Sequence, residues 1–198
     1  DIKATGSVTY VSEGEVTNTI TYTEGEKFKA SNYEITKNEG KLSITAATEK
    51  VTVTIEGNKF SAKYDGTEKT ASGYEVKSIS NEKYTEADFT FSGNAEVKGT
   101  DAGNYPMGLT AANFTNKSAN FTDVEFIVTD GGLTIDPREV TLTSETDSKP
   151  YDGTALEKPD VAVTGDGFVA GEVTDIKATG SVTYVSEGEV TNTITYTE

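Results

Sequence analysis

The stretch VTVTIEG at residues 51–57 alternates apolar and polar side chains. Successive side chains of a β-strand point to opposite faces, so Val51, Val53 and Ile55 share one face. Valine, isoleucine and threonine also favour extended backbone. Residues 51–57 are therefore predicted to form a strand that packs one face on a hydrophobic core.

Similar segments follow, separated by glycine, asparagine and aspartate, which favour turns. Within residues 73–135 they read GYEVKSI, ADFTFSG, NAEVKG, NYPMGLT, NFTDVEFIVT and GLTI. Strands about every 8–12 residues with this alternation predict an all-β, antiparallel sandwich. TDGGL at 129–133 and KNEGKL at 37–42 are predicted to be hairpin turns, because glycine accepts positive φ.

The chain also repeats itself. The stretch DIKATGSVTYVSEGEVTNTITYTE at residues 1–24 recurs unchanged at 175–198, which gives a period of 174 residues. A second, looser repeat has half that period, since Tyr64-Asp65-Gly66 and Tyr151-Asp152-Gly153 lie 87 residues apart. This pattern predicts a tandem array in which two related domain types alternate.

The repeats predict the domain boundaries. Residues 1–50 are the C-terminal part of a type-A repeat, 51–139 a complete type-B repeat, and 140–198 the N-terminal part of the next type A. The joints at 45–50 and 136–139 are short, and Pro137 restricts the second. An extended, rather stiff array is expected.

The duplicated stretch leaves two arrangements open. If the chain is a window on a longer array, both copies should have the same conformation. If the tail of one molecule instead complements the head of the next, one copy should be displaced and the molecules should associate head to tail.

Composition narrows the function classes. The net charge of −16 disfavours nucleic acid and anionic membrane surfaces as partners. Cysteine and histidine are both absent, which excludes disulfides, zinc–thiolate sites and a histidine general base. No apolar run approaches the roughly 18–20 residues that span a bilayer, so no membrane insertion is expected. We predict no enzyme activity, no catalytic residues and no cofactor.

The two Tyr-Asp-Gly motifs are the candidate site. We predict structural turns. In each, the aspartate side chain hydrogen-bonds to nearby backbone, the glycine adopts a positive φ, and the tyrosine packs the loop against the core. The alternative is a ligand platform. The residues concerned are Tyr64, Asp65, Gly66, Tyr151, Asp152 and Gly153.

Two further chemistries have candidate residues in this sequence. Calcium at the joints would use acidic residues, but no D-x-[DN]-x-[DN]-G loop is present, so no metal site is predicted. A self-formed Lys–Asn isopeptide bond would need a buried acid beside the pair. The candidates for calcium are Asp101, Asp130, Asp136 and Glu139, and those for the isopeptide bond are Lys59, Lys63, Asn113, Asn116, Asn120, Glu86 and Asp101.

The ordered motifs YDGT, DAGNYPMG at 101–108, NFT…GGLTI and NYEI…GKLSI resemble those of the MBG and YDG repeats of bacterial surface adhesins. The resemblance implies Ig-like β-domains in tandem, an extracellular location on a bacterial, wall-anchored protein, and no catalysis. It also implies a stalk whose partners are neighbouring repeats. The alternative is that each repeat binds host glycan, mucin or protein weakly and gains avidity from many copies.

Overall fold

The structure, a computed structural model, describes all 198 residues. It consists of β-strands and short 3-10 turns without an α-helix, so the all-β prediction is confirmed. None of its helical turns has the length and apolar character needed to cross a bilayer. In chain order the strands are β1 (Ile2–Ala4), β2 (Val16–Thr17), β3 (Ile20–Tyr22), β4 (Lys41–Leu42), β5 (Val51–Gly57), β6 (Lys59–Lys63), β7 (Lys69–Ser72), β8 (Tyr74–Ile79), β9 (Phe89–Phe91), β10 (Glu96–Gly99), β11 (Gly103–Pro106), β12 (Phe114–Asn116), β13 (Val124–Thr129), β14 (Gly132–Asp136), β15 (Val140–Ser144), β16 (Leu156–Glu157), β17 (Val161–Gly165), β18 (Thr174–Ala178), β19 (Ser181–Val182) and β20 (Ile194–Thr197).

The chain divides into two compact units, and each combines segments that are distant in sequence. Unit 1 comprises 1–57, 73–95 and 108–130, and unit 2 comprises 58–72, 96–107 and 131–198. The division passes through residues 51–139, and the repeat boundaries remain a prediction from the sequence. The 3-10 turns are η1 (Val11–Glu13), η2 (Ala30–Asn32), η3 (Glu86–Asp88), η4 (Ala111–Asn113) and η5 (Val185–Glu187).

Unit 1 is organised around β5, which forms as the alternation predicts. Its apolar face, Val51, Val53 and Ile55, is fully buried, while the intervening side chains are partly exposed. Strand β5 pairs with β8 in antiparallel and with β13 in parallel orientation. The buried aromatic and aliphatic residues packed with it are Tyr84, Phe89, Leu109, Phe114 and Phe121.

The parallel pairing differs from the expected antiparallel arrangement. Strands β13 and β14 do not pair with each other; β13 lies parallel to β5, and β14 lies parallel to β6. The predicted hairpin at 129–133 is therefore wrong. Gly132 does not have positive φ. A Cβ on it would lie 3.0 Å from the Tyr105 carbonyl oxygen. The close approach of β11, not a turn, explains this glycine.

The predicted hairpin at 37–42 is also wrong. Strand β4 pairs antiparallel with β2, so that Leu42 lies opposite Val16. Gly40 has no positive φ, and its carbonyl oxygen accepts the Asn18 N–H at 2.9 Å. The segment is therefore held by a distant strand and not by its own neighbours.

Unit 2 contains the three-stranded sheet β11–β14–β6 and the pairs β7–β10, β15–β17, β16–β19 and β18–β20. Leu133 and Ile135 of β14 are almost fully buried. Beyond them few side chains are buried, so the core of this unit is thin. The others are Ala71, Met107 and Ala178.

The two copies of the duplicated stretch share a strand pair and a 3-10 turn. In the first, Lys3 lies opposite Thr21 and Ala4 opposite Ile20. In the second, the corresponding pairs are Lys177 with Thr195 and Ala178 with Ile194. Both copies form the 3-10 turn, and the glycine that ends it has φ of 67° in one and 72° in the other. The copies differ where segments outside the stretch pair with them: Val16–Thr17 is a strand only in the first copy, and Ser181–Val182 only in the second.

Candidate functional site

The Tyr-Asp-Gly motifs each form a turn braced by the aspartate. Asp65 Oδ1 accepts the Thr67 N–H at 2.9 Å and the Thr67 hydroxyl at 2.6 Å. Asp152 Oδ1 accepts the equivalent groups of Thr154 at 2.9 and 2.8 Å. The glycine that follows has φ of 77° at Gly66 and 81° at the second motif. Each turn therefore also includes the threonine that follows the motif.

A lysine adds charge to each turn. Lys69 Nζ lies 2.6 Å from Asp65 Oδ2, and this contact, with the Thr67 hydrogen bonds, holds the pKa of Asp65 well below its ordinary value. Lys149 Nζ lies 3.1 Å from Asp152 Oδ1. The pKa of Asp152 is lowered to about 2, chiefly by the hydrogen bonds from the Thr154 N–H and hydroxyl and then by Lys149. Both carboxylates are therefore ionised and occupied within their own turns.

The tyrosines of the motifs have different surroundings. Tyr151 is 63% exposed, so it does not anchor its loop on a core. Tyr64 is half-buried, and its hydroxyl donates a hydrogen bond to the Glu172 carboxylate. That bond is the main cause of the raised pKa of Tyr64.

Tyr64 belongs to a hydrogen-bonded cluster, which we call the 138 joint: Lys63, Tyr64, Arg138, Glu139, Asp166, Gly167 and Glu172. At its centre the Arg138 guanidinium donates to three backbone carbonyl oxygens. Nε donates to Gly167 at 2.6 Å, Nη1 donates to Tyr64 at 3.3 Å, and Nη2 donates to Asp166. One fixed, planar side chain thereby ties the strand end before β15 to the loop after β17.

The Asp166 side chain completes the 138 joint. Its Oδ2 accepts the Glu139 N–H at 2.9 Å and a hydrogen bond from Lys63 Nζ at 2.7 Å. The lysine and then the N–H lower the pKa of Asp166. Gly165, the last residue of β17, approaches Glu139 closely, since a Cβ there would be 2.4 Å from the Glu139 carbonyl oxygen.

Sequence reasoning missed Arg138, Asp166 and Glu172. Their partners lie 27 to 108 residues away, beyond the reach of any local pattern. One signal was present: Arg138 is the only arginine in the chain and directly follows Pro137 in a predicted joint.

The other joint, at 45–50, lies in unit 1. The Ala47 N–H donates to the Asn120 carbonyl oxygen at 2.8 Å, and the Val11 N–H donates to Asn120 Oδ1 at 2.9 Å. Lys50 Nζ lies 2.8 Å from the Glu125 carboxylate. This joint is therefore tied to residues 120–125 by a backbone hydrogen bond and an ion pair.

Two of the candidates for calcium and for an isopeptide bond, Asp130 and Asn116, are engaged in other contacts. Asp130 accepts the N–H groups of Gly108 and Leu109 at 3.0 and 2.7 Å. Asn116 Oδ1 accepts the Tyr84 hydroxyl at 3.0 Å. No group of three or more acidic, cysteine or histidine side chains is placed to hold a metal ion.

Unit 2 also has an open groove beside β16 and β19, with a volume of ≈ 790 Å³. Its lining includes Lys149, Tyr151, Leu156, Tyr184 and Val190. The rings of Tyr151 and Tyr184 stack with centroids 6.4 Å apart. Both tyrosines are more than half exposed, so the groove presents aromatic faces to solvent.

The chain was compared with protein-family models, curated proteins and solved structures. No family model, curated protein or solved structure matches this chain.

Proposed function

We propose that this chain is a structural spacer repeat of a large bacterial cell-surface protein, which projects an adhesive region away from the cell. In this proposal the strands form Ig-like sandwiches of the MBG/YDG type, joined in tandem, and the partners are neighbouring repeats. The all-β fold and the recurrence of 24 residues at a period of 174 support it.

The 138 joint is the observation on which the spacer role chiefly depends. A spacer must transmit position and force, so the connection between successive repeats must resist bending. A flexible linker would have few hydrogen bonds and a glycine- and serine-rich sequence. Here the Arg138 guanidinium instead contacts three carbonyl oxygens across the connection.

Pulsed electron spin resonance tests this stiffness. The chain has no cysteine, so Ser61→Cys in β6 and Glu157→Cys in β16, both exposed, give two defined spin labels. We expect a narrow distance distribution that broadens clearly in Arg138→Ala. Lys149→Ala, which alters a charged residue of unit 2 outside the joint, should leave the width unchanged. A broad distribution in the unmutated background would contradict the spacer proposal.

A second function is favoured by the stacked Tyr151 and Tyr184, since exposed aromatic faces bind sugar rings. In this alternative each repeat binds glycan weakly, and many copies provide avidity. A glycan array with the full chain tests it. Saturable binding that is lost in Tyr184→Ala but kept in Tyr10→Ala, the same residue in the first copy, would favour the alternative over a pure spacer.

A further inference from the structure

The strands that begin and end residues 51–136 pair with each other in parallel. In unit 1, β5 pairs with β13 over six residue pairs that begin with Val51 opposite Val124. In unit 2, β6 pairs with β14 over five residue pairs that begin with Lys59 opposite Gly132. The same offset of 73 positions holds in both ladders. Because β6 follows β5 and β14 follows β13 after only one or two residues, the two ladders join the same two stretches of chain.

Parallel pairing decides how tension along an array acts on these strands. Tension enters β5 from the joint at 45–50 and leaves β14 through the joint at 136–139. It pulls β5 and β6 towards their N-terminal ends, and β13 and β14 towards their C-terminal ends. Parallel strands pulled in this way slide past each other, so the evenly spaced hydrogen bonds of a ladder carry the load together. In an antiparallel terminal pair the same tension would act at one end, and the bonds would break one after another.

The strands at which tension enters and leaves are each held on both sides. Strand β5 is the central strand of the sheet β13–β5–β8, and β14 is the central strand of the sheet β11–β14–β6. A backbone hydrogen bond also stands where each joint meets its strand. The Val51 N–H donates to the Asp123 carbonyl oxygen at 2.9 Å, and the Tyr64 N–H donates to the Asp136 carbonyl oxygen at 2.8 Å. The first and last residues under tension are therefore held by the opposite stretch of chain.

Buried apolar side chains cover one face of these two strands. Val51, Val53 and Ile55 of β5 are fully buried, and Leu133 and Ile135 of β14 are almost fully buried. Water that replaces a broken backbone hydrogen bond makes the break less costly, and these side chains keep water away from that face. Sliding of either strand must also expose apolar surface to water, which adds to the resistance of the hydrogen bonds.

We propose that residues 51–63 and 124–136 form a mechanical clamp, which resists tension applied through the two joints much better than tension that peels the same strands apart. The clamp rests on the proposed spacer function for its use, because a spacer is stretched whenever the adhesive region that it projects holds a surface. It deepens that function by assigning the resistance to two parallel ladders and to one direction of pulling.

Optical tweezers test the clamp through its dependence on direction. The chain has no cysteine, so two introduced cysteines define where DNA handles attach to the full chain. Glu49→Cys with Thr129→Cys pulls β5 and β13 from opposite ends and loads their ladder in shear. Glu49→Cys with Asp123→Cys pulls the same two strands from one end and peels them apart. All three positions are exposed, and the two pairs enclose similar lengths of chain.

At equal loading rate, the shear pair should yield at about twice the force of the peeling pair or more, because forced unfolding depends on the barrier to unfolding and not on the equilibrium stability. The two variants share the Glu49→Cys handle and the same buried core, and their melting temperatures, compared with that of the parent chain, verify that both are folded. A difference in force then reports direction alone. Equal forces, or a higher force for the peeling pair, would overturn the clamp.

A third variant, Glu49→Cys with Glu139→Cys, applies the tension from joint to joint. It should yield at a force that also exceeds that of the peeling pair about twofold or more. The tether should then lengthen by up to about 300 Å, because an extended residue spans about 3.3–3.6 Å. Yielding at the force of the peeling pair would show that the ladders do not lie in the path of tension, and would overturn the proposal. The spacer function is tested separately, since the spin labels measure the stiffness of the joint without load.

Discussion

Two glycines, one at the end of β17 and one in the loop after it, test the geometry of the 138 joint at the residue scale. Gly165 and Gly167 both have positive φ, at 85° and 68°. A left-handed backbone costs a non-glycine residue about 1–2 kcal/mol. A Cβ at Gly167 meets nothing within 4 Å, whereas at Gly165 it would lie 2.4 Å from the Glu139 carbonyl oxygen.

We therefore expect Gly167→Ala to destabilise unit 2 by about 1 kcal/mol and Gly165→Ala by about 3 kcal/mol or more, because the latter must also separate β17 from β15. Hydrogen exchange at residues 140–144 and 161–165 measures the difference. Equal effects of the two substitutions would show that the loop does not pack against Glu139 in solution.

The buried phenol of Tyr84 should make the stability of unit 1 depend on pH. It is 2% exposed, and burial, followed by the Asp88 charge, raises its pKa from 10.0 to about 12. The folded state therefore prefers the protonated phenol. The stabilising contribution is complete below pH 10 and is lost as the pH rises towards 12, by about 1–2 kcal/mol. Denaturant unfolding between pH 9 and 12 should show a steeper loss in the parent chain than in Tyr84→Phe. Parallel curves would contradict this.

At the element scale, the parallel pairing of β5 and β13 is the feature that most needs a test. Thr54 lies opposite Ile127, and neighbouring strands are about 4.8 Å apart. Thr54→Cys/Ile127→Cys should therefore form a disulfide readily under mild oxidation, within the usual Cα separation for such a bond.

The control is Thr54→Cys/Thr129→Cys. It moves one cysteine two residues along β13, which adds about 7 Å along the strand and should prevent the bond. Free-thiol titration and mass spectrometry measure both variants. Crosslinking of the control pair in preference to the first would indicate a different register.

The strands and their pairing differ in how far sequence predicts them. Strand β5 was predictable because alternation is a local property, and the Asp65 turn because its partners are Thr67 and Lys69. Alternation says nothing of strand direction, and β5 pairs with residues more than 70 positions away. The Arg138 contacts could not be predicted for the same reason, since they form only after these distant segments meet.

At the scale of the whole molecule, charge repulsion opposes folding. The chain has 33 acidic and 17 basic residues. Its ion pairs are mostly exposed; the side chains of Lys50 and Glu125, for example, are 53% and 48% accessible. Exposed pairs of this kind contribute at most about 1 kcal/mol each. Salt weakens both the attraction within the ion pairs and the repulsion among the acidic residues. Because the chain has an excess of sixteen negative charges, we expect the weakening of the repulsion to be the larger effect.

We therefore expect the melting temperature to rise by a few degrees between low salt and 0.5 M NaCl, because the screening length falls from about 10 Å at 0.1 M to about 3 Å at 1 M. Differential scanning calorimetry measures it. Near pH 4.4, where the net charge approaches zero, the rise should disappear, which separates screening of repulsion from other effects of salt. A fall with NaCl at pH 7 would show that the ion pairs outweigh the repulsion. A rise with millimolar CaCl₂ but not with NaCl would instead indicate a specific cation site.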